Sequence, residues 1–115
     1  MAMAMAEALR ILAQTEHPRR MAVLGDMGEL GDLTEKAHRD MGMLTHELGL
    51  DTVVAIGTKA QAIRDANPDA LWFPTVQAAL PAIREAFIPG TAVLVKASHA
   101  MHFTDIVEDL EASTK

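Results

Sequence analysis

Three short stretches of this chain carry residue types that can do chemistry. "AVLGDMGELGD" (Ala22 to Asp32) ends an apolar run in Gly25-Asp26 and continues with Glu29 and Asp32 among further glycines. "AIGTKA" puts Gly57, Thr58 and Lys59 after a β-branched run, and "VLVKASHAMH" puts Lys96, Ser98 and His99 after another. A carboxylate at the tip of a buried strand can accept from a ribose hydroxyl, hold a cation, or bond a neighbouring loop. Gly25 lets another backbone come close. The plain structural reading makes Asp26 a loop cap and Glu29 a solvated acid. A lysine that ends an apolar strand either snorkels to water or pairs with a carboxylate or phosphate. A helix N-terminus near Ser98 would help the second role.

Other chemistries have less behind them. His99 and His102 are spaced i, i+3, but no third ligand converges on them, so no metal site is expected. His38 and His46 are two helical turns apart and cannot chelate together, and His17 falls in a loop. No Ser-His-Asp order stands out. The chain has no GxGxxG and no GxxxxGK[ST], so neither familiar phosphate cradle is present. It has no cysteine, which excludes disulfides, thiolate metal sites and a cysteine nucleophile.

The elements that must position these residues follow from apolar periodicity. Met5, Ala8, Leu9 and Leu12 share one face of a helix over residues 3–13, before "HPRR" breaks the pattern at Pro18. Residues 20–25 read as a buried strand. Asp32 and Glu35 have the spacing of an N-cap and its N3 partner. Leu33, Ala37, Met41, Leu44 and Leu48 then make a helical face that Gly49 closes. A second strand spans 52–56. Thr58 is placed to cap a short helix to Ala66, with Ala60 and Ile63 inward. A brief strand covers 71–73. Thr75 caps a helix with Val76, Ala79, Leu80, Ile83 and Phe87 inward, and Pro81 predicts a kink or a late start near Leu80. A fourth strand spans 91–96. Ser98 is the expected N-cap of a closing helix to Glu111, with Met101, Ile106 or Phe103, Val107 and Leu110 inward.

Strands and helices therefore alternate with short connections. That pattern predicts an α/β fold with three layers: a doubly wound, mainly parallel sheet covered on both faces. Ligands in such sheets bind at the carboxyl ends of the strands, where all three stretches fall. The 115 residues suffice for one core. Half of them are hydrophobic but only 3% are aromatic, which suits helices on a sheet better than a β-sandwich. With 16 acids against 10 bases and a net charge of −6, no nucleic-acid partner is expected. No apolar run reaches membrane-spanning length, so no membrane partner is expected, and the lack of cysteine fits a reducing compartment, with a cytoplasmic location expected.

The same stretches carry a family resemblance. "RRMAVLGDMGELGDLTEKAHRDMG" and "GTAVLVKASHAMHFTDIVEDL", with "VVAIGTKAQAI" between them, resemble the C-terminal domain of the Mur ligases. The branch is the one that joins D-alanyl-D-alanine to UDP-MurNAc-tripeptide. Leu24, Gly25, Asp26, Met27, Glu29, Leu30, Gly31 and His38 match its first signature. The match runs from Arg19 to Leu110. Ala97 stands where that branch has Gly, His99 where Arg is common, and Thr91 where Asp is usual. A histidine is a weaker anion partner than an arginine.

The resemblance implies a Rossmann-like domain over 19–115, with 1–18 as a lead-in helix. It implies the C-terminal part of an ATP-dependent, ADP-forming peptide ligase of peptidoglycan synthesis, inactive alone and monomeric. Its partners would be N-terminal and central ligase domains. ATP and Mg2+ would be held mainly by the central domain. Carried over residue by residue, Asp26, Gly25 and Glu29 would contact nucleotide, with the ribose on Asp26. Lys96, Ser98 and His99, with Thr58 beside them, would contact the incoming substrate. No catalytic residue is expected in this domain. Two rivals need no ligase. A receiver-like module would require a phospho-accepting acid at another strand tip, and strands two and three end in Gly57 and in Phe73-Pro74. An interaction module of another α/β protein would bind neither nucleotide nor dipeptide.

Overall fold

The computed structural model describes residues 2–28, 31–98 and 101–113. Four parallel strands, β1 (Arg19–Gly25), β2 (Thr52–Ile56), β3 (Leu71–Phe73) and β4 (Thr91–Lys96), form one sheet in the order β3-β2-β1-β4. The helices are α1 (Ala2–Ala13), α2 (Thr34–Glu47), α3 (Gln61–Ala66), α4 (Val76–Ala86) and α5 (Thr104–Ser113). The expected α/β architecture is the one found, with helices on both faces of the sheet.

The two-residue alternation of the central strands divides the core. Ala22 and Leu24 of β1 and Val53 and Ala55 of β2 face Met5, Leu9 and Leu12 of α1, Ala37 and Met41 of α2 and Ile63 of α3. Met21 and Val23 of β1 and Val54 and Ile56 of β2 face Ala79 and Ile83 of α4, and Ile106 and Leu110 of α5. Each fully buried Leu, Ile or Val contributes about 1.5–3 kcal/mol relative to exposure. The chain steps from β1 to β2 to β3 through α2 and α3 on one face. It then returns through α4 to the far side of β1. Right-handed crossovers that run in opposite directions place their helices on opposite faces. The reversal falls between β1 and β4, the place where ligands of open α/β sheets bind at the strand tips.

Several local expectations give way to packing. Asp32 does not cap α2: residues Gly31–Leu33 form a short 3-10 turn, and Leu33 at the helix start makes no side-chain cap. Leu33 is 63% exposed, because the tighter turn rotates it off the helical face. Helix α4 starts at Val76 and continues through an exposed Pro81. The Thr75 side chain accepts the Ala78 amide and fixes the start ahead of the proline. Thr58 is exposed and does not cap α3. The closing helix begins at Thr104, six positions after Ser98. His102 has φ +53 and lies outside that helix. Val107 turns outward at 41% exposure, and Phe103 takes the buried place instead.

Two polar features of this packing had no signal in the periodicity. Asn67 is buried and donates to Thr45 Oγ1 at 3.0 Å, tying the end of α3 to α2. Arg84 grips both oxygens of Asp109 at 2.6 and 2.8 Å, tying α4 to α5. The hydrogen bond from Arg84 holds the Asp109 carboxyl below the usual carboxylate range.

Two outcomes are expected. A Cβ on Gly42 would run into the Ile63 carbonyl and lie 2.8 Å from Ala66 Cβ. Gly to Ala inside a helix ordinarily gains up to about 1 kcal/mol, whereas overpacking costs about 1–3 kcal/mol. Gly42→Ala therefore lowers the urea midpoint, and a raised midpoint would mean that α2 and α3 part freely. The lowered Asp109 value makes its contribution present above the unfolded-state pKa of about 4 and lost as pH falls through the folded one. Urea unfolding of wild type and Asp109→Asn should thus differ at neutral pH and converge in acid. A gap that persists at about pH 2 would contradict the assignment.

Candidate functional site

The tip of β1 is the junction of the carboxyl edge. Asp26 follows directly on the buried strand, and its side chain is half-buried. Its Oδ1 accepts the Ala60 amide at 3.0 Å, ahead of α3. Its carbonyl accepts the Ser98 amide at 3.1 Å, from the loop that leaves β4. One residue thus joins the loops after β1, β2 and β4. Of the alternatives open for Asp26, the bond to a neighbouring loop is the one the structure contains.

Two glycines make this approach possible. Gly57 has φ +110, and a Cβ there would lie 2.5–2.9 Å from the Asp26 carboxylate atoms. Only glycine offers both the backbone conformation and the space. Gly25 admits the Phe103 ring, which would collide with a side chain there. Phe103 is 8% exposed, and this seat explains why the closing helix starts so late: the chain must first cross the tip of β1. On the far side of the β2 loop, Trp72 Nε1 donates to the Gly57 carbonyl at 2.7 Å, and the Arg64 guanidinium sits 5.3 Å over the same ring. The loop after β2 is therefore held from both sides.

His38 braces the loop after β1. It is fully buried on α2. Its Nε2 receives the Met27 amide at 3.0 Å, and Nδ1 lies 2.6 Å from the Thr34 carbonyl. Its helical position and its place in the family signature could be read from the sequence, but its two hydrogen bonds could not.

The expected site residues divide into three groups. Gly25, Asp26 and Ser98 meet at the tips of β1 and β4. Lys96 is exposed at the end of β4, and Thr58 is exposed on the β2 loop. Glu29 and His99 lie outside the described residues. Helix α5 starts at Thr104 and not beside Lys96 and Ser98, and the Ser98 carbonyl accepts the Met101 amide at 3.0 Å. Lys59, in the same stretch as Gly57 and Thr58, stands with them. Lys36 pairs with Asp40, whereas among the described residues Lys59 and Lys96 pair with no carboxylate. These two lysines stand beyond β2 and at the end of β4, the strands that flank β1. Among the described residues no three His, Asp or Glu converge in a way that could hold a metal ion. No helix among them is long and apolar enough to cross a membrane.

Comparison with known proteins agrees with this architecture. Residues 2–99 match the family described as "Mur ligase, glutamate ligase domain". The chain is 32% identical over 112 residues to a UDP-N-acetylmuramoyl-tripeptide--D-alanyl-D-alanine ligase of Synechocystis, covering 94% of this chain and 25% of that protein. It is 34% identical over 98 residues to the Bacillus subtilis protein of the same name, covering 80% of this chain and 21% of that protein. A crystal structure of MurF from Acinetobacter baumannii superposes with a TM-score of 0.85 at 30% identity, over 96% of this chain and 26% of that one. The chain thus spans about a quarter of the length of the proteins it matches.

The junction predicts a graded response at Asp26. Asp26→Ala leaves the Ala60 amide without its acceptor and costs about 1.5–3 kcal/mol, the range for a hydrogen bond to a charged group. Asp26→Asn keeps an acceptor oxygen and costs less. Urea unfolding measures both, and losses near zero in both would mean that the Ala60 bond contributes nothing.

Proposed function

This chain belongs to the Mur ligase glutamate ligase domain family, and on that premise we propose that it is the C-terminal wall of an ATP-dependent ligase site in peptidoglycan synthesis. The ligase joins D-alanyl-D-alanine to UDP-MurNAc-tripeptide. Its N-terminal and central domains are partners that this chain must meet, and it makes no product alone. The observation that carries the reading is the convergence of the β1 and β4 loops on Asp26 at the point where the strand order reverses.

In the whole reaction ATP transfers its terminal phosphoryl group to the tripeptide carboxylate and leaves as ADP. The dipeptide amine attacks the resulting acyl phosphate. The tetrahedral intermediate collapses to an amide and releases phosphate, and the amine proton passes to solvent or to a base. Magnesium and the phosphate-binding loop are assigned to the central domain. No step is assigned to a metal on this wall.

The residues of this chain bind and enclose. The Asp26 oxygen that Ala60 does not use accepts a ribose hydroxyl, and Gly25, whose bare face seats the Phe103 ring, is assigned to the nucleotide on sequence alone. Lys96 pairs with the dipeptide carboxylate, with Ser98 beside it and Thr58 on the neighbouring loop. Lys59 adds a second unpaired cation on the same edge, which favours anionic substrates in a chain of net charge −6. Glu29 and His99 are assigned to the nucleotide and to the substrate on sequence alone. Closure of this wall on the central domain excludes water, which would otherwise hydrolyse the acyl phosphate. The receiver-like alternative shares an acid after strand one and a lysine on a late strand but lacks its phospho-acceptor, since β2 and β3 end in Ile56-Gly57 and Phe73 with no acid.

A backbone-amide NMR titration tests the proposal. Mg-ADP is expected to shift Gly25 to Gly28 and Gly57 to Ala60, and D-alanyl-D-alanine to shift Lys96 to Ser98 and Met101. Repeating the titration with the other ligase domains added in trans should tighten both responses. No response with those domains present, or shifts at the amino ends of the strands, would overturn it.

A further inference from the structure

We propose that His38 is a positioning residue: its neutral imidazole, protonated on Nδ1, locks the Met27 backbone and thereby sets Asp26 against the β2–α3 loop. The proposal deepens the reading of this edge as a nucleotide-contacting wall and rests on that reading only for its ligand readout.

The hydrogen-bond directions determine the tautomer. A backbone N–H can only donate, so the Nε2 that faces Met27 at 3.0 Å must be the acceptor. The ring proton then resides on Nδ1 and is donated to the Thr34 carbonyl at 2.6 Å. Both nitrogens are used, as burial requires, since an unpaired buried polar group is costly. The two partners are the first and last residues of segment 27–34, so one side chain closes that loop at its base. Met27 is 4% exposed and anchored among the apolar residues of the α1–α3 face.

Asp26 is the residue immediately before this clamp. Ala60 holds its side chain and Ser98 holds its carbonyl. His38 holds the peptide that follows. A side chain attached to the next peptide unit cannot keep its aim if that unit swings, because the peptide is planar and turns as one body. An apolar residue could fill the space of His38, but it could not accept the Met27 proton.

Hydrogen exchange and NMR on this chain test the assignment. In the wild-type protein, the imidazole nitrogen shifts should show protonated Nδ1 and bare Nε2, with a coupling across the hydrogen bond from Met27. The opposite tautomer would overturn the proposal without any variant. His38→Asn keeps a donor near Nδ1 but cannot reach Met27, whereas His38→Gln carries its amide oxygen to about the position of Nε2. In His38→Asn the Met27 amide is expected to exchange about tenfold faster or more. The Ala60 amide, on a different loop, is expected to follow it, and His38→Gln should restore both. Faster exchange at Met27 with Ala60 unchanged would reduce His38 to a local strut and overturn the proposal, as would an unchanged Met27. Titration with Mg-ADP separates the two readings. If Met27 and Ala60 respond together but wild type shows no nucleotide shifts even with the other domains added, the positioning role stands and the nucleotide reading falls. If wild type binds and His38→Asn binds several-fold more weakly, with recovery in His38→Gln, both stand.

Discussion

The hydrogen bond from the Ala60 amide to the Asp26 carboxylate, made across the bare Cα of Gly57, is the contact on which the carboxyl edge depends. It joins the tip of the central strand to the loop of its neighbour. The Ser98 amide reaches the same residue from the other side. Three loops that are far apart in the chain therefore share one anchor. Surface loops are ordinarily the variable part of an α/β domain, but here their backbones are spoken for. The exposed side chains, Thr58, Lys59 and Lys96, project from a framework that is already set.

Close packing at the same tip makes that framework stiff. Gly25 leaves room for the Phe103 ring, and Phe103 seats the start of α5 on the sheet. The other end of the contact chain is His38, deep in α2, with Met27 between it and Asp26. The anchor is thus backed on one face of the sheet by an imidazole and on the other by an aromatic ring. Pre-set geometry of this kind suits a wall that has to meet its ligands only when another domain closes on it, since less order must be created at that moment.

Much of the fold could be read from residue pattern. Strands β2, β3 and β4 begin and end where their apolar runs and flanking Gly or Pro residues put them. The face formed by Met5, Leu9 and Leu12 on α1, and by Ala37 and Met41 on α2, is buried as its spacing requires. Helix starts were the weak point. Asp32 and Ser98 have good cap chemistry, yet Asp32 does not cap α2 and Ser98 does not cap α5. A cap is worth about 1 kcal/mol, less than burying a Phe side chain at about 1.5–3 kcal/mol. The demand of Phe103 for its seat on Gly25 therefore outweighs the local signal at Ser98.

The sequence by itself determined the order of elements, the parallel three-layer architecture, the family signatures and the strand tips on which Asp26 and Lys96 stand. Each depends on neighbours within a few residues, through apolar period and turn chemistry. Only the tertiary structure decided what those tips touch. The partner of Asp26 lies 34 positions away, the partner of the Asn67 amide 22, and the loop amide that His38 receives 11. Such pairs are selected by the registration of strands and the seating of helices, which no local window contains. The strand order β3-β2-β1-β4 brings the loops of β2 and β4 to either side of β1, and so makes the anchor possible.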